Sequence, residues 1–537
     1  MRIDILHSKS VKDITDYLVL FLTVWTVLCF FHNNYNNGRT VTWGVQYNDY
    51  VSKSILTALV YCVGRLCFSI HFKGSKTLIY VILCTTSLKE ISFCLVQYMH
   101  GNKILTGSIG NTGLLGGLIS VCMCVLGAVI VKEKRYTRLL FLIPLFVLLV
   151  ITFSRAAWLS CTIVFFILSL KIEPLHRLMY RWKVPFFLFV LGMGIIVYSL
   201  KKESADSRLF MTLLILRNCN KLGLFGVGPG NYCGFYGRSL YDFYLNKECA
   251  LIDSPIDCIE ALTRDLIKTG LPDCAYNELL RTLVETGIIG ATFFLTVTLL
   301  SFYRLHKSKD SLSYGFLALI IFSQFSFPSK IPLFCCLYAL LLAAGSSIPE
   351  MKESNVIKPH LVVCSLLTIV ALSFITATRR TDSVYKGLND MKDLYDRCFY
   401  DEASKAGNIL YDREYNSPKF LLDYGIVLGK IQDFNKSDKV LTQGLEMSAS
   451  PGFWKALGDN SVNKGDYLSA ENQYQHSFIM LPNRMQPLLD LARLYYITGD
   501  TIKLSRIHEC ALRMIPKVEN DRTRLMRNEI SALQGVK

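Results

Sequence analysis

Charge is nearly absent from long stretches of this 537-residue chain. The run Leu139–Leu170 (LLFLIPLFVLLVITFSRAAWLSCTIVFFILSL) contains a single charged residue, Arg155. Only 19% of all residues are charged against 51% hydrophobic. That balance excludes an ordinary soluble chain and implies a large membrane-embedded part. Other absences narrow the chemistry. No Cys-x-x-Cys pair occurs among the 18 cysteines, so no zinc site of the usual spacing is expected. None of the glycine-rich turns carries the Gly-Lys-Ser/Thr of a P-loop, which argues against nucleotide binding. No small-residue cleavage site follows the first apolar segment, so it is expected to be retained as a helix.

What is present is a series of apolar segments of spanning length, near 14–32, 54–72, 77–98, 113–131, 138–153, 156–171, 184–200, 283–303, 312–327, 331–348 and 361–377. Lipid offers unpaired backbone groups no partner, so these are expected to be helices, about eleven crossings in a membrane domain covering 1–378. The Leu139–Leu170 run is too long for one crossing. Two short helices joined by a tight turn fit it, with Arg155 and Trp158 at the turn.

The net charge of +16 is not a nucleic-acid signal. From Thr381 onward there are 21 basic and 21 acidic residues, so the whole excess lies upstream. It clusters in the connections 73–76, 132–138, 171–183 and 303–309, every second one, as the positive-inside rule requires. Those loops and the N-terminus are therefore expected to be cytoplasmic. The 99–112 loop, the Arg155 turn, the long 201–282 loop and the tail fall on the outer face. Five cysteines in that outer loop (Cys219, Cys233, Cys249, Cys258 and Cys274) would be free to form disulfides in an oxidising compartment, in a connectivity the spacing leaves open. Within the crossings, Arg65, Lys89 and Glu90 need partners. Lys89 and Glu90 point about 100° apart on a helix and are expected not to pair with each other.

The tail has an internal period. FWKALGDNSVNKGDYLSAENQYQHSFIMLPN (453–483) fits the tetratricopeptide pattern at Trp454, Leu457, Gly458, Ala470, Tyr474 and Pro482, and a second unit repeats it through Leu488, Leu491, Ala492, Tyr495, Ala511 and Pro516. The tripeptides at 465–467 and 499–501 recur 34 residues apart, with weaker copies near 399–404 and 432–437. About four helix pairs over 384–516 should stack into an α-solenoid, with 517–537 as a helical cap. Such an array ordinarily binds a protein partner or its own neighbouring domain.

Four features fall on the outer face: TGSIGNTGLLGG (106–117), SRAAW (154–158), DSRLFMTLLILRNCNKLGLFGVGPGNY (206–232) and AYNELLRTLVETGIIG (275–290). In this order they resemble the O-antigen ligase/polymerase superfamily, over about residues 14–350. The matching pieces are a Gly–Asn turn before a helix, a Ser-Arg-Ala-Ala-Trp turn, and a long outer loop. The loop carries an arginine, then Gly-x-Gly-Pro-Gly-Asn-Tyr, then Asn-x-x-Leu and Glu-x-Gly-x-x-Gly. The expected fold class is thus all-α, a polytopic membrane helix bundle followed by an α-solenoid of tetratricopeptide repeats.

The resemblance implies a multi-pass enzyme of the bacterial inner membrane. It would transfer a glycan from an undecaprenyl-pyrophosphate carrier to a glycan, a lipid A-core or a protein hydroxyl at the outer face, as ligase, polymerase or protein O-oligosaccharyltransferase. Neither metal nor cofactor is implied, since arginines can neutralise a pyrophosphate through bidentate, charge-assisted bonds. Arg155 and Arg208 are the candidates for that role, with Arg217 a third. Gly228, Gly230 and Asn231 of the glycine-rich turn, together with Asn111 and Trp158, are candidate substrate contacts. An exposed turn of this kind can offer successive backbone amides to an anion. Where the family has a histidine base before the Asn, this chain has Tyr276, followed by Asn277 and Glu278, and the 201–282 loop contains no histidine. A phenol ordinarily keeps its proton at neutral pH. Asp273, Glu278 and Glu285 are nearby carboxylates that could serve instead, and electrostatic stabilisation of the pyrophosphate leaving group would lessen the need for a base.

Two other classes compete with the enzyme. A non-enzymatic membrane anchor presenting the repeat domain to periplasmic partners would leave Arg155 and Arg208 dispensable. A transporter would show internally repeated halves, and no such repeat is visible.

Overall fold

The computed structural model describes residues 9–36, 49–70, 72–102, 104–174, 202–247, 275–347, 362–369, 381–412, 417–448, 450–516 and 519–535, with a few isolated positions between them. The described residues are helical throughout, with no strand. Five helices there are long and apolar enough to cross a membrane. Three of them, α1 (Lys9–Asn36), α2 (Asp49–Ile70) and α3 (Phe72–Met99), come first. The fourth is α4 (Thr112–Lys132). Next come two short apolar helices, α5 (Ile143–Ile151) and α6 (Arg155–Ser169), then α7 (Lys202–Arg217) and α8 (Tyr232–Lys247). The fifth long helix, α9 (Glu278–Lys307), is followed by the shorter α10 (Leu312–Ser323) and α11 (Pro332–Ser346). Of the eleven expected crossings, 184–200 lies outside the described residues apart from isolated positions, and 361–377 is described only over 362–369.

Helix α4 forms the centre of the bundle. Free of charge up to its terminal Lys132 and apolar all round, it packs on α3, α5, α6 and α10. Gly117 makes the closest of these contacts possible: a Cβ there would sit 2.2 Å from the Phe322 ring of α10. The chain reverses between α5 and α6 at Thr152–Ser154, where Phe153 takes φ 48° and Arg155 opens the next helix.

The short connections gather at two ends. At one, Lys76 pairs with Asp310, and Lys132 Nζ donates to the Lys309 carbonyl at 3.0 Å. This brings three of the basic connections together. At the other, Ser154 Oγ donates to the Gly113 carbonyl (3.1 Å), and Lys53 Nζ reaches the Lys330 carbonyl (2.6 Å).

The charges within the candidate spans find partners. Arg65 pairs with Asp16 of α1 (3.1 Å) and donates to Ser347 Oγ (3.0 Å), while Tyr61 donates to the same carboxylate. The expectation that Lys89 and Glu90 do not pair is corrected. Their side chains converge on Ser108, whose backbone N–H donates to Glu90 (2.8 Å) and whose hydroxyl accepts from Lys89 (2.9 Å). The two charges then lie 3.6 Å apart. A shared loop residue overcomes the angular separation.

The tail continues as α12 (Thr381–Asp396), α13 (Tyr400–Asp412), α14 (Pro418–Lys430), α15 (Phe434–Met447), α16 (Pro451–Lys464), α17 (Tyr467–Met480), α18 (Gln486–Thr498), α19 (Thr501–Arg513) and α20 (Asp521–Gly535). Each helix from α12 to α19 packs on the next, and alternate helices (α12 on α14, α14 on α16, α16 on α18) also touch. The turns repeat closely. Gly465 and Gly499 end their helices with φ 79° and 75°, and Asp466 and Asp500 cap the following helices through Ser469 N (3.1 Å) and Lys503 N (3.0 Å). The weaker copies use the same left-handed turn without glycine, at Cys398 (φ 64°) and Gln432 (φ 66°).

The tail is docked on the 201–282 segment. Tyr241 of α8 bonds His476 Nδ1 (2.6 Å), Arg238 donates to the Glu446 carbonyl, and Arg506 pairs with Asp257. Tyr232, Tyr236 and Leu240 of α8 share one buried cluster with Ala470, Tyr474 and Phe478 of α17. Of the loop cysteines, Cys219 is an exposed thiol and Cys233 is half-buried; the other three lie outside the described residues.

Candidate functional site

The four sequence features meet at the bundle end that holds the Arg155 turn. Arg208, on the second turn of α7, lies over the Tyr276 ring, 4.1 Å from its centre, and Nη1 donates to the Phe325 carbonyl (2.9 Å). Tyr276 also meets Phe327 in a T-shaped contact, ring centres 5.3 Å apart. Burial pulls the Arg208 guanidinium below its ordinary range; Tyr276 opposes the shift, and the like charge of Arg155 adds to it. Two arginines from different motifs thus lie toward the same end of the bundle.

Asn277 and Glu278 complete this side. Asn277 caps α9, accepting from Leu280 N (2.9 Å), and its Nδ2 donates to the Gln324 carbonyl (3.3 Å). Glu278 is buried. It accepts from Ser329 N (2.9 Å) and Ser329 Oγ (2.6 Å) and pairs with Arg281 (3.0 Å). Both residues therefore clamp the connection 324–330 onto the start of α9. Asp273, the third carboxylate of interest in this stretch, lies outside the described residues.

The glycine-rich turn is turned inward. Val227 N and Gly228 N donate to the carbonyls of Val284 (2.9 Å) and Glu285 (3.0 Å), and Gly230 N–H donates to the Glu285 carboxylate. Asn231 Nδ2 closes the turn on the Val227 carbonyl (2.8 Å). These bonds are possible because α9 is kinked at Gly287 (φ 69°). A Cβ on Gly226 would come within 2.5 Å of Gly287 N and the Val284 carbonyl. The two glycine motifs of the sequence are thus the two halves of one backbone contact.

The remaining candidates are distributed. Trp158 Nε1 donates to the Leu149 carbonyl (2.9 Å), stapling the hairpin that presents Arg155. Asn111 caps α4 through Leu114 N (3.0 Å). Arg217 is exposed at the far end of α7 and, nine residues after Arg208, is about half a turn out of phase with it. The site includes residues the sequence did not single out: Gln324, Phe325, Phe327 and Ser329 from the α10–α11 connection, Arg281 of α9 and Lys53 of α2. Helical spacing from Glu278 was the only signal for Arg281; the short connection QFSFPSK carries no motif.

Chemically, the arrangement offers two mutually repelling guanidinium groups beside a buried acidic cluster, which suits an anionic ligand at the guanidinium side. No known protein family, curated protein or solved structure matches this chain.

Proposed function

We propose that this chain transfers a glycan from an undecaprenyl-pyrophosphate carrier to a hydroxyl acceptor, as a multi-pass enzyme of the O-antigen ligase/polymerase type. The observation that carries the reading is the half-buried Arg208, held on the Tyr276 ring and the Phe325 carbonyl at the bundle end that holds the Arg155 turn. A guanidinium held rigid in this way is set to form charge-assisted, bidentate hydrogen bonds to an anion. A pyrophosphate has the charge and the oxygens to fill that role. The other motif residues support the pair from behind: Trp158 fixes the hairpin, and Asn277 and Glu278 fix the neighbouring connection.

In this reading the membrane domain has about eleven crossings, the Arg155 end faces the periplasm of a bacterial inner membrane, and the tail is a tetratricopeptide solenoid on the same side. The docking of the tail on α8, the helix that leaves the glycine-rich turn, favours a role for the solenoid in holding the site loop. A pure anchor presenting a free repeat array would not need that contact.

The test is deletion in the native host, complemented with wild type, Arg155→Ala or Arg208→Ala. Carrier-linked glycan is read by mass spectrometry and surface glycan by gel. Accumulation of carrier-linked glycan in variants that still insert is the expected result, with single repeat units marking a polymerase and long chains a ligase. A wild-type glycan profile in both variants rejects the reading.

A further inference from the structure

A second buried carboxylate lies seven residues beyond Glu278 on the same face of α9. Glu285 is only 4% exposed, and its Oε1 has no hydrogen-bond partner. The contrast with Glu278 is sharp, since Ser329 and Arg281 engage both oxygens of that side chain. Leaving a buried acceptor unsatisfied costs about 1–3 kcal/mol, and more for a charged group. Native proteins keep few such groups, so each calls for a functional account.

Glu285 lines a cavity of about 320 Å³ beneath the 324–329 connection, between α1, α2, α9, α10 and α11. The volume falls at the lower end of the range for small-molecule sites, about 300–1,000 Å³. Its walls are mainly apolar, with a few hydroxyls on them. Thr23, Thr26, Thr57 and Thr282 donate their own protons to carbonyls one turn back in their helices. Each hydroxyl oxygen therefore faces a ligand only as an acceptor, which suits a partner rich in O–H donors. Pro229 of the glycine-rich turn forms part of the wall, and Gly230 N–H of the same turn holds the Glu285 carboxylate. The cavity and the glycine-rich turn therefore share a boundary, and Gln324, whose carbonyl accepts from Asn277 beside Tyr276, lines the cavity as well.

We propose that this cavity receives the hydroxyl-bearing end of the acceptor glycan and that Glu285 takes the proton from the attacking hydroxyl. The inference rests on the transferase reading above. The acceptor oxygen bonds to the anomeric carbon of the donor as the bond from that carbon to the pyrophosphate oxygen breaks. The electron pair leaves with undecaprenyl pyrophosphate, between Arg155 and Arg208. The hydroxyl proton passes to the Glu285 carboxylate and from there to solvent. Tyr276, at the family's histidine position, then serves as the platform under Arg208, and the proton acceptor comes from the helix that follows it, two turns beyond Glu278.

The test uses the full chain, in host membranes and purified into lipid nanodiscs. Glu285→Gln keeps the side-chain volume and an acceptor for Gly230 N–H but cannot take a proton. Its transfer rate is expected to fall roughly 100-fold or more, the scale of general base catalysis. Binding of undecaprenyl pyrophosphate should stay within about two-fold of wild type, whereas Arg208→Ala should lose both. Thr57→Phe fills the cavity without altering either carboxylate and is expected to reproduce the Glu285→Gln pattern; it decides alone if Glu285→Gln does not insert. Wild-type transfer by either variant, with Arg208→Ala inactive, overturns this inference and leaves the transferase reading standing. Wild-type transfer by Arg155→Ala and Arg208→Ala as well removes both.

Discussion

The Arg208 guanidinium lies 4.1 Å from the centre of the Tyr276 ring, and the two residues belong to different motifs of the 201–282 segment. A cation over an aromatic face is worth about 0.5–2 kcal/mol, more when desolvated. The contact assigns Tyr276 a job that needs its ring and not its hydroxyl. Tyr276→Phe is therefore expected to transfer glycan within about three-fold of wild type, and Tyr276→Ala to lose roughly ten-fold or more through a mobile Arg208. Carrier-linked glycan measured in complemented deletion strains distinguishes them; an inactive Tyr276→Phe would assign the chemistry to the phenol.

The contact between the glycine-rich turn and the α9 kink is a backbone fit. Gly226→Ala is expected to destabilise the fold by about 1–3 kcal/mol from φ strain alone, with the clash against Gly287 and Val284 in addition. A lowered midpoint in detergent-solubilised thermal melting checks this. Gly223→Ala, also at positive φ but with open space around the added carbon, should show only the smaller strain effect.

The Arg65–Asp16 pair is buried. Arg65→Met alone leaves Asp16 charged against Tyr61 and is expected to cost about 3–5 kcal/mol, whereas Arg65→Met with Asp16→Leu should recover most of that loss. Yield of folded, monodisperse protein after extraction ranks the three chains, and equal yields for the single and double variants would contradict the pairing argument.

In the tail, burial raises the Asp490 carboxyl to about 6, and Oδ2 has no hydrogen-bond partner while Gln486 donates to Oδ1 (2.9 Å). The folded state therefore holds this proton more tightly than the unfolded chain. The sign follows: the group favours folding below about pH 4, and its contribution is lost as pH rises through about 6. Asp490→Asn, which keeps the Gln486 bond and carries no charge, should stabilise the tail by on the order of 2–3 kcal/mol at pH 7 and by little at pH 4. Hydrogen exchange of the 486–513 amides in the full chain, compared at the two pH values, reads the difference. A pH-independent gain would mean that packing, not ionisation, is responsible.

The sequence by itself determined the local features. A lone arginine in an apolar run marked the hairpin turn, because charge at the centre of a membrane span is too costly to place otherwise. A recurrence of 34 residues marked the helix pairs, because each needs the same left-handed turn and the same Asp cap. At Cys398 and Gln432 the turn persists without its glycine, and there the repeat was faint in sequence. The tertiary structure alone decided which distant segments meet. The 324–330 connection and Lys53 carry no motif, yet Ser329 bonds Glu278 and Lys53 bonds the Lys330 carbonyl, since nothing in a linear pattern specifies contacts fifty or more residues apart. The glycines at 226 and 287 were legible only as two separate turns. Their meeting depends on a helix kink and a backbone approach that any side chain would block, and it is this meeting that brings the glycine-rich turn against Glu285.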